Sequence, residues 1–187
     1  MVQITAKYIT LEEFLKLPET EPTSEYIDGQ IIQKPIPQGK HSCIQTELSA
    51  VINAILRSCQ IGRAFTELRC TFAGRSIIQD ISVFAWDRIP RDNNGQVSNV
   101  FQTSPDWSIE ILSPDQNQTK ATKNILHCLR DKTQMGWLID PDEQTVFVYI
   151  RNQQPLFFDE SEALLPVPEF ASDLRLTVGE LFEWLLG

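Results

Sequence analysis

Two carboxylates stand inside strand-like apolar runs: Asp80 in Ile77-Ile78-Gln79-Asp80-Ile81-Ser82-Val83, and Glu110 in Trp107-Ser108-Ile109-Glu110-Ile111-Leu112. Taking a carboxylate out of water is costly unless it is paired or holds a cation. Either one alone also fits a strand with one solvated face. The two together, in strands apolar on both parities and followed by a cation-bearing helix, favour a metal site. Oxygen donors of this kind suit Mg2+, with Mn2+ as its substitute, rather than zinc. The helix, over residues 118–132, spaces Lys120, Lys123, His127 and Arg130 along one side and Thr122, Ile125, Leu126 and Leu129 along the other. That basic stripe either meets a ligand or is a solvated face.

Other chemistries lack their residues. The 2 histidines and 4 cysteines (Cys43, Cys59, Cys70, Cys128) make no zinc spacing, and with no C-x-x-C pair the cysteines read as buried thiols. There is no G-x-S-x-G elbow and no glycine-rich phosphate loop before a helix. Trp86, Trp107, Trp137 and Trp184 fall in strands or an amphipathic helix and read as core. With 16 basic against 25 acidic residues, a net charge of -9, the chain is not held to nucleic acid by bulk electrostatics. A nucleic-acid enzyme remains open, because a bound divalent ion and a local basic face can admit a phosphate against an unfavourable total.

The elements that must position these groups follow from local signals. Thr10 with Glu13 three residues on, and Pro18 as a stop, predicts a short helix over 10–17. Asp28-Gly29 predicts a tight hairpin between strands at 24–27 and 30–34. Ile44, Leu48, Val51, Ile52, Ile55 and Leu56 recur at helical spacing over 41–59, with Gly62 as terminator. Strands follow at 64–72 and 77–86 around Ala73-Gly74, then an asparagine-rich, mobile surface loop at 88–104. After the Glu110 strand, closed by Ser113-Pro114-Asp115, and its helix come strands at 136–139, 145–150 and 156–158, and a last amphipathic helix at 178–186. The 187 residues predict one α/β (α+β) domain, with a core over about 10–150 and a C-terminal extension over 151–187. No apolar run approaches the ~20 residues that span a bilayer. Residues 1–8 lack the apolar core of a signal peptide, so the expected location is cytoplasmic.

The ordered set E-Y-I-D-G-Q-I-I (25–32), His41 at a helix start, Q-D-I-S-V-F (79–84), E-I-L-S-P (110–114) and W-L-I-D-P (137–141) resembles the Uma-two family of restriction endonuclease-like proteins. The resemblance implies a PD-(D/E)XK nuclease core, a mixed sheet flanked by helices, with an N-terminal hairpin. It implies that Asp80 and Glu110 bind the metal, and that Glu25 adds a third acidic group able to complete the metal's shell. Two departures stand out. Gln79 replaces the proline usual before the aspartate, and Leu112 occupies the position where a lysine is expected.

In such a family the lysine migrates to the following helix, which implies Lys123 as the catalytic lysine, with Lys120 as the neighbouring candidate. His41 becomes an auxiliary group that contacts phosphate or orients Glu25; the plainer reading is a helix-start residue. The implied activity is Mg2+-dependent hydrolysis of DNA phosphodiester bonds by metal-activated water. A homodimer follows by analogy with paired-strand cutting. The competing expectation is a catalytically inactive nuclease-fold interaction module, suggested by the acidic charge and by Leu112.

Overall fold

The computed structural model describes residues 9–114 and 116–186; Asp115 and residues 1–8 of the sequence reading lie outside the described residues. The first helix, α1 (Leu11–Phe14), carries the reciprocal cap read from its sequence: the Thr10 side chain accepts from the Glu13 amide, and the Glu13 carboxylate accepts from the Thr10 amide. Strands β1 (Ser24–Ile27) and β2 (Gln30–Gln33) form an antiparallel hairpin. Its turn places Asp28 and Gly29 at φ 51° and 85°, the left-handed pair that a two-residue turn of this hand requires.

Helix α2 (Gly39–Leu56) buries Ile44, Leu48, Ile52 and Leu56, one residue per turn, on the central sheet. It ends earlier than the sequence suggested. Gln60 takes the left-handed conformation at φ 54°, and Gly62 opens β3 instead of closing the helix. A Cβ at Gly62 would stand 2.8 Å from the Phe84 carbonyl oxygen, so packing rather than helix termination calls for glycine there.

Strands β3 (Gly62–Phe72) and β4 (Arg75–Ala85) pair along their whole length. The other edge of β4 is shared. Near its start Ser76 pairs with Tyr26 of β1, and further along Ile81–Val83 pair with β5 (Trp107–Ile111). Between these contacts β1 and β5 diverge, and the sheet opens into a fork along 77–80. From β5 the chain crosses through α3 (Gln118–Arg130) to β6 (Met135–Asp140), parallel to β5, then runs antiparallel through β7 (Thr145–Ile150) and β8 (Leu156–Phe158).

The eight-stranded mixed sheet is covered on both faces. On one face, α2, the C-terminal segment and α4 (Val178–Glu183) enclose Trp107, Trp137, Ile109 and Ile139. On the other, α3 packs Ala121, Ile125 and Leu129 on Leu138 and Tyr149. Its approach is close: a Cβ at Gly136 of β6 would meet Ile125 Cγ2 at 2.3 Å.

Three expectations need correction. His127 and Cys128 join the buried side of α3, while Leu126 is exposed, so the helix is rotated from the predicted stripe. The 88–104 loop is fastened: Ile89 and Phe101 are buried, and Arg88 holds Asp106, Thr103 and the Ser104 carbonyl. Cys70 and Cys128 are buried thiols, as expected, but Cys59 is exposed and Cys43 half-buried.

Candidate active site

The fork gathers side chains from β1, β3, β4, β5, α2 and α3, and from Lys34 just past the end of β2. Asp80, Glu25 and Glu110 are 0%, 1% and 2% exposed, so three carboxylates share one desolvated volume. Each is fixed by a sheet-edge amide or a neighbouring helix. Asp80 Oδ2 accepts from the Ile111 amide at 2.6 Å, which ties β4 to β5 where their ladder ends. Glu25 Oε1 accepts from the Ile78 amide at 2.9 Å, which ties β1 to β4 across the gap. These amides would otherwise be unpaired at a strand divergence, so the carboxylates complete the fork while being held in it.

Positive charge comes from two directions. Lys34, just past β2 and itself buried, places Nζ 2.7 Å from Asp80 Oδ1 and 2.7 Å from Glu67 Oε2 of β3. Lys120 in the first turn of α3 reaches Glu25 Oε2 at 2.9 Å. His41, in the first turn of α2, turns Nε2 toward Asp80 Oδ1 at 3.4 Å and holds Nδ1 3.2 Å from Ser113 Oγ. Gln45, one turn on, donates to the Asp80 carbonyl and to Glu67 Oε1.

Electrostatics separates the two metal-ligand candidates. For Asp80, burial works against the charged form, but Lys34 and His41 outweigh it and hold the carboxyl below its usual range. For Glu110, burial and then the Asp80 charge push the carboxyl well above its usual range, with Lys34 and a hydrogen bond from Asn124 offsetting only part of this. Lys34 is held above the ordinary lysine value: Asp80, Glu110 and Glu67 overcome the burial that would lower it. Glu110 Oε1 is buried and has no hydrogen-bond partner among the described residues. An anionic oxygen left in that condition is expensive unless a cation completes it, and carboxylate oxygens are the donors a hard divalent ion takes. The residues present therefore fit such an ion.

Of the residues expected from sequence, Asp80, Glu110, Glu25, His41 and Lys120 are brought together. Lys123 is not: it is exposed, and Asn124 is the residue of that turn that faces Glu110. His127 stacks on Phe72 at 4.9 Å, and burial followed by Arg75 lowers its pKa, which marks it as a packing residue. Gln79, where a proline was expected, is buried on the α3 side, donating to Cys128 Sγ and accepting from Ser82.

Sequence reading missed Lys34, Glu67 and Asn124. Lys34 had a weak signal, a lone lysine between an Ile-Ile run and Pro35-Ile36-Pro37. Asn124 lies one turn beyond Lys120, a spacing that already places the two on one side of α3.

The architecture, a single mixed eight-stranded sheet with helices on both faces, is shared with a solved nuclease-family structure. The chain matches the family model of Uma2, described as "Putative restriction endonuclease", over residues 11–179, and belongs to that family. Among solved structures it is similar to a crystal structure from Anabaena variabilis, described as "a putative nuclease belonging to DUF820", at 66% identity. The match covers 95% of this chain and 99% of that one, with a TM-score of 0.93. The search of curated proteins found no match. Among the described residues, no helix is long and apolar enough to cross a membrane.

Proposed function

We propose that this nuclease-family protein is a metal-dependent endonuclease that hydrolyses DNA phosphodiester bonds, with Asp80 and Glu110 holding Mg2+ or Mn2+. The observation that carries the reading is the unpartnered Oε1 of Glu110, buried beside an ionised Asp80. When bound, the ion supplies charge to the phosphoryl oxygens and acidifies the attacking water.

The chain's own residues do the rest. Asp80 and Glu110 approach from adjacent strands, so their separation is set by the sheet rather than by flexible loops. Glu25 anchors the hairpin to β4 and holds Lys120, with its side chain 23% exposed, at the solvent side of the cluster. From there Lys120 offers the first positive charge that an incoming phosphate meets. Ser113 orients the His41 ring, and His41 in turn steadies the Asp80 carboxylate.

The test is cleavage of plasmid and linear DNA with Mg2+, Mn2+ or EDTA, comparing the parent with Asp80→Asn and Glu110→Gln. The expected result is metal-dependent cleavage lost in both variants, with circular dichroism unchanged. Parent-level cleavage by Asp80→Asn sinks the assignment.

A further inference from the structure

The α2 side of the fork contains a second cation position, and a side chain fills it. Donor atoms of His41, Glu67 and Asp80 all lie within 4.8 Å of one another, a spacing that suits a single ion. His41 is 3% exposed, and its Nε2 faces Asp80 Oδ1 at 3.4 Å, with no other partner among the described residues. Ser113 Oγ, 3.2 Å from Nδ1, fixes the ring: with the proton on Nε2 the imidazole faces Asp80 as a donor, and with the proton on Nδ1 held by Ser113 it offers Nε2 to a metal ion instead. Into this seat Lys34 brings its ammonium, 2.7 Å from both Asp80 Oδ1 and Glu67 Oε2. A groove of about 500 Å³, lined in part by Lys34, Glu67, Thr23 and Ile36, lies on the solvent side of the Lys34–Glu67 pair.

We infer that Lys34 is the resident cation of this site: its ammonium occupies the seat made by Asp80, Glu67 and His41. It confines divalent metal to the Glu110 side of Asp80, so that the protein binds one metal ion and not two. This rests on the reading of Asp80 and Glu110 as metal ligands. The physical basis is exclusion by like charge and by volume. An ammonium that already contacts two carboxylates leaves neither the space nor the net negative charge that a second divalent ion needs. It also accounts for α3 directing Asn124 rather than a lysine at Glu110: the fixed positive charge is delivered from the end of β2 instead. Removing the Lys34 side chain should unmask the seat.

The experiment is Mn2+ binding to EDTA-stripped full-length protein, by calorimetry and by metal counting after equilibrium dialysis. The parent should bind one Mn2+, Lys34→Ala two, and Lys34→Ala with Glu67→Gln one again. Thermal melting gives a second readout: Lys34→Ala should melt below the parent in EDTA and gain more from Mn2+ than the parent does. Because Lys34→Ala could fail to fold, Glu67→Gln alone, at a half-exposed position, is measured in parallel. It should bind no second Mn2+, and its melting temperature in EDTA should fall because Lys34 loses one of its two carboxylate contacts.

Two ions in the parent, one of them lost in Glu67→Gln, overturn the inference, as does a folded Lys34→Ala that still binds one. No Mn2+ in the parent but one in Lys34→Ala, lost again with Glu67→Gln, upholds the seat and sinks the Asp80–Glu110 metal site. No binding in any variant sinks both.

Discussion

The two sides of the fork hold the same kind of group in opposite conditions. Toward α2, Asp80 is surrounded by Lys34, His41 and the Ile111 amide, so its negative charge is compensated before any ligand arrives. Toward α3, Glu110 has Asn124 beside it, one oxygen without a partner, and two carboxylates close enough to disfavour its charge. Two acidic residues on neighbouring strands thus differ less in chemistry than in what the next layer brings to them. One is structural as well as functional; the other carries a cost that a cation would relieve.

The sharpest way to break this comparison is Asp80→Asn in metal-free protein. It leaves the Lys34 ammonium without the buried one of its two carboxylate partners, so stability should fall by about 3 kcal/mol, read from urea denaturation in EDTA. A loss no larger than that of an ordinary surface variant would show that Lys34 does not depend on Asp80.

Next in size is Gly136→Ala, which leaves the site chemistry untouched but sets its added methyl against Ile125 Cγ2. The expected cost is roughly 1–3 kcal/mol, together with weaker metal binding, because α3 must shift and carries Asn124 and Lys120 with it. Unchanged metal affinity would mean that the α3 side of the fork does not need this helix placement.

Glu110→Gln should act with the opposite sign. Because folding raises the Glu110 pKa, the folded state holds that proton more tightly than the unfolded chain. Its stability burden is absent below the unfolded carboxylate range and grows as pH rises toward the folded value. The variant should therefore be more stable than the parent in EDTA at pH 7, by on the order of 1 kcal/mol, and converge with it near pH 4. Asp80 runs the other way: its contribution is present above the unfolded carboxylate pKa and fades as pH falls. A melting-temperature series against pH reads both. The smallest effect belongs to Lys123→Ala, expected within about 0.5 kcal/mol of the parent and with unaltered cleavage, because the side chain is exposed. A large loss of cleavage would return the catalytic lysine to α3.

Much of this molecule was legible in the chain. The Thr10–Glu13 cap, the Asp28-Gly29 and Ala73-Gly74 turns, and the apolar stripe of α2 are set by contacts between residues a few positions apart, and each formed where those contacts allow. Asp80 and Glu110 stood out because a carboxylate in an apolar strand violates the burial pattern around it. Legibility failed where a property depended on rotation or reach. The angle of α3 follows from the close approach of Ile125 to Gly136, two residues with no local relation, and it turned His127 inward and Lys123 outward.

The sequence by itself determined the elements, their turns and the two carboxylates, since these are decided by short-range backbone preference and by the cost of burying charge. Only the tertiary structure decided which cations those carboxylates meet. A lysine stem is long and flexible, and an ammonium settles where several distant segments lower its energy together. For Lys34 that place is set by β2, β3 and β4 assembling around Asp80 and Glu67, which no window of the chain contains.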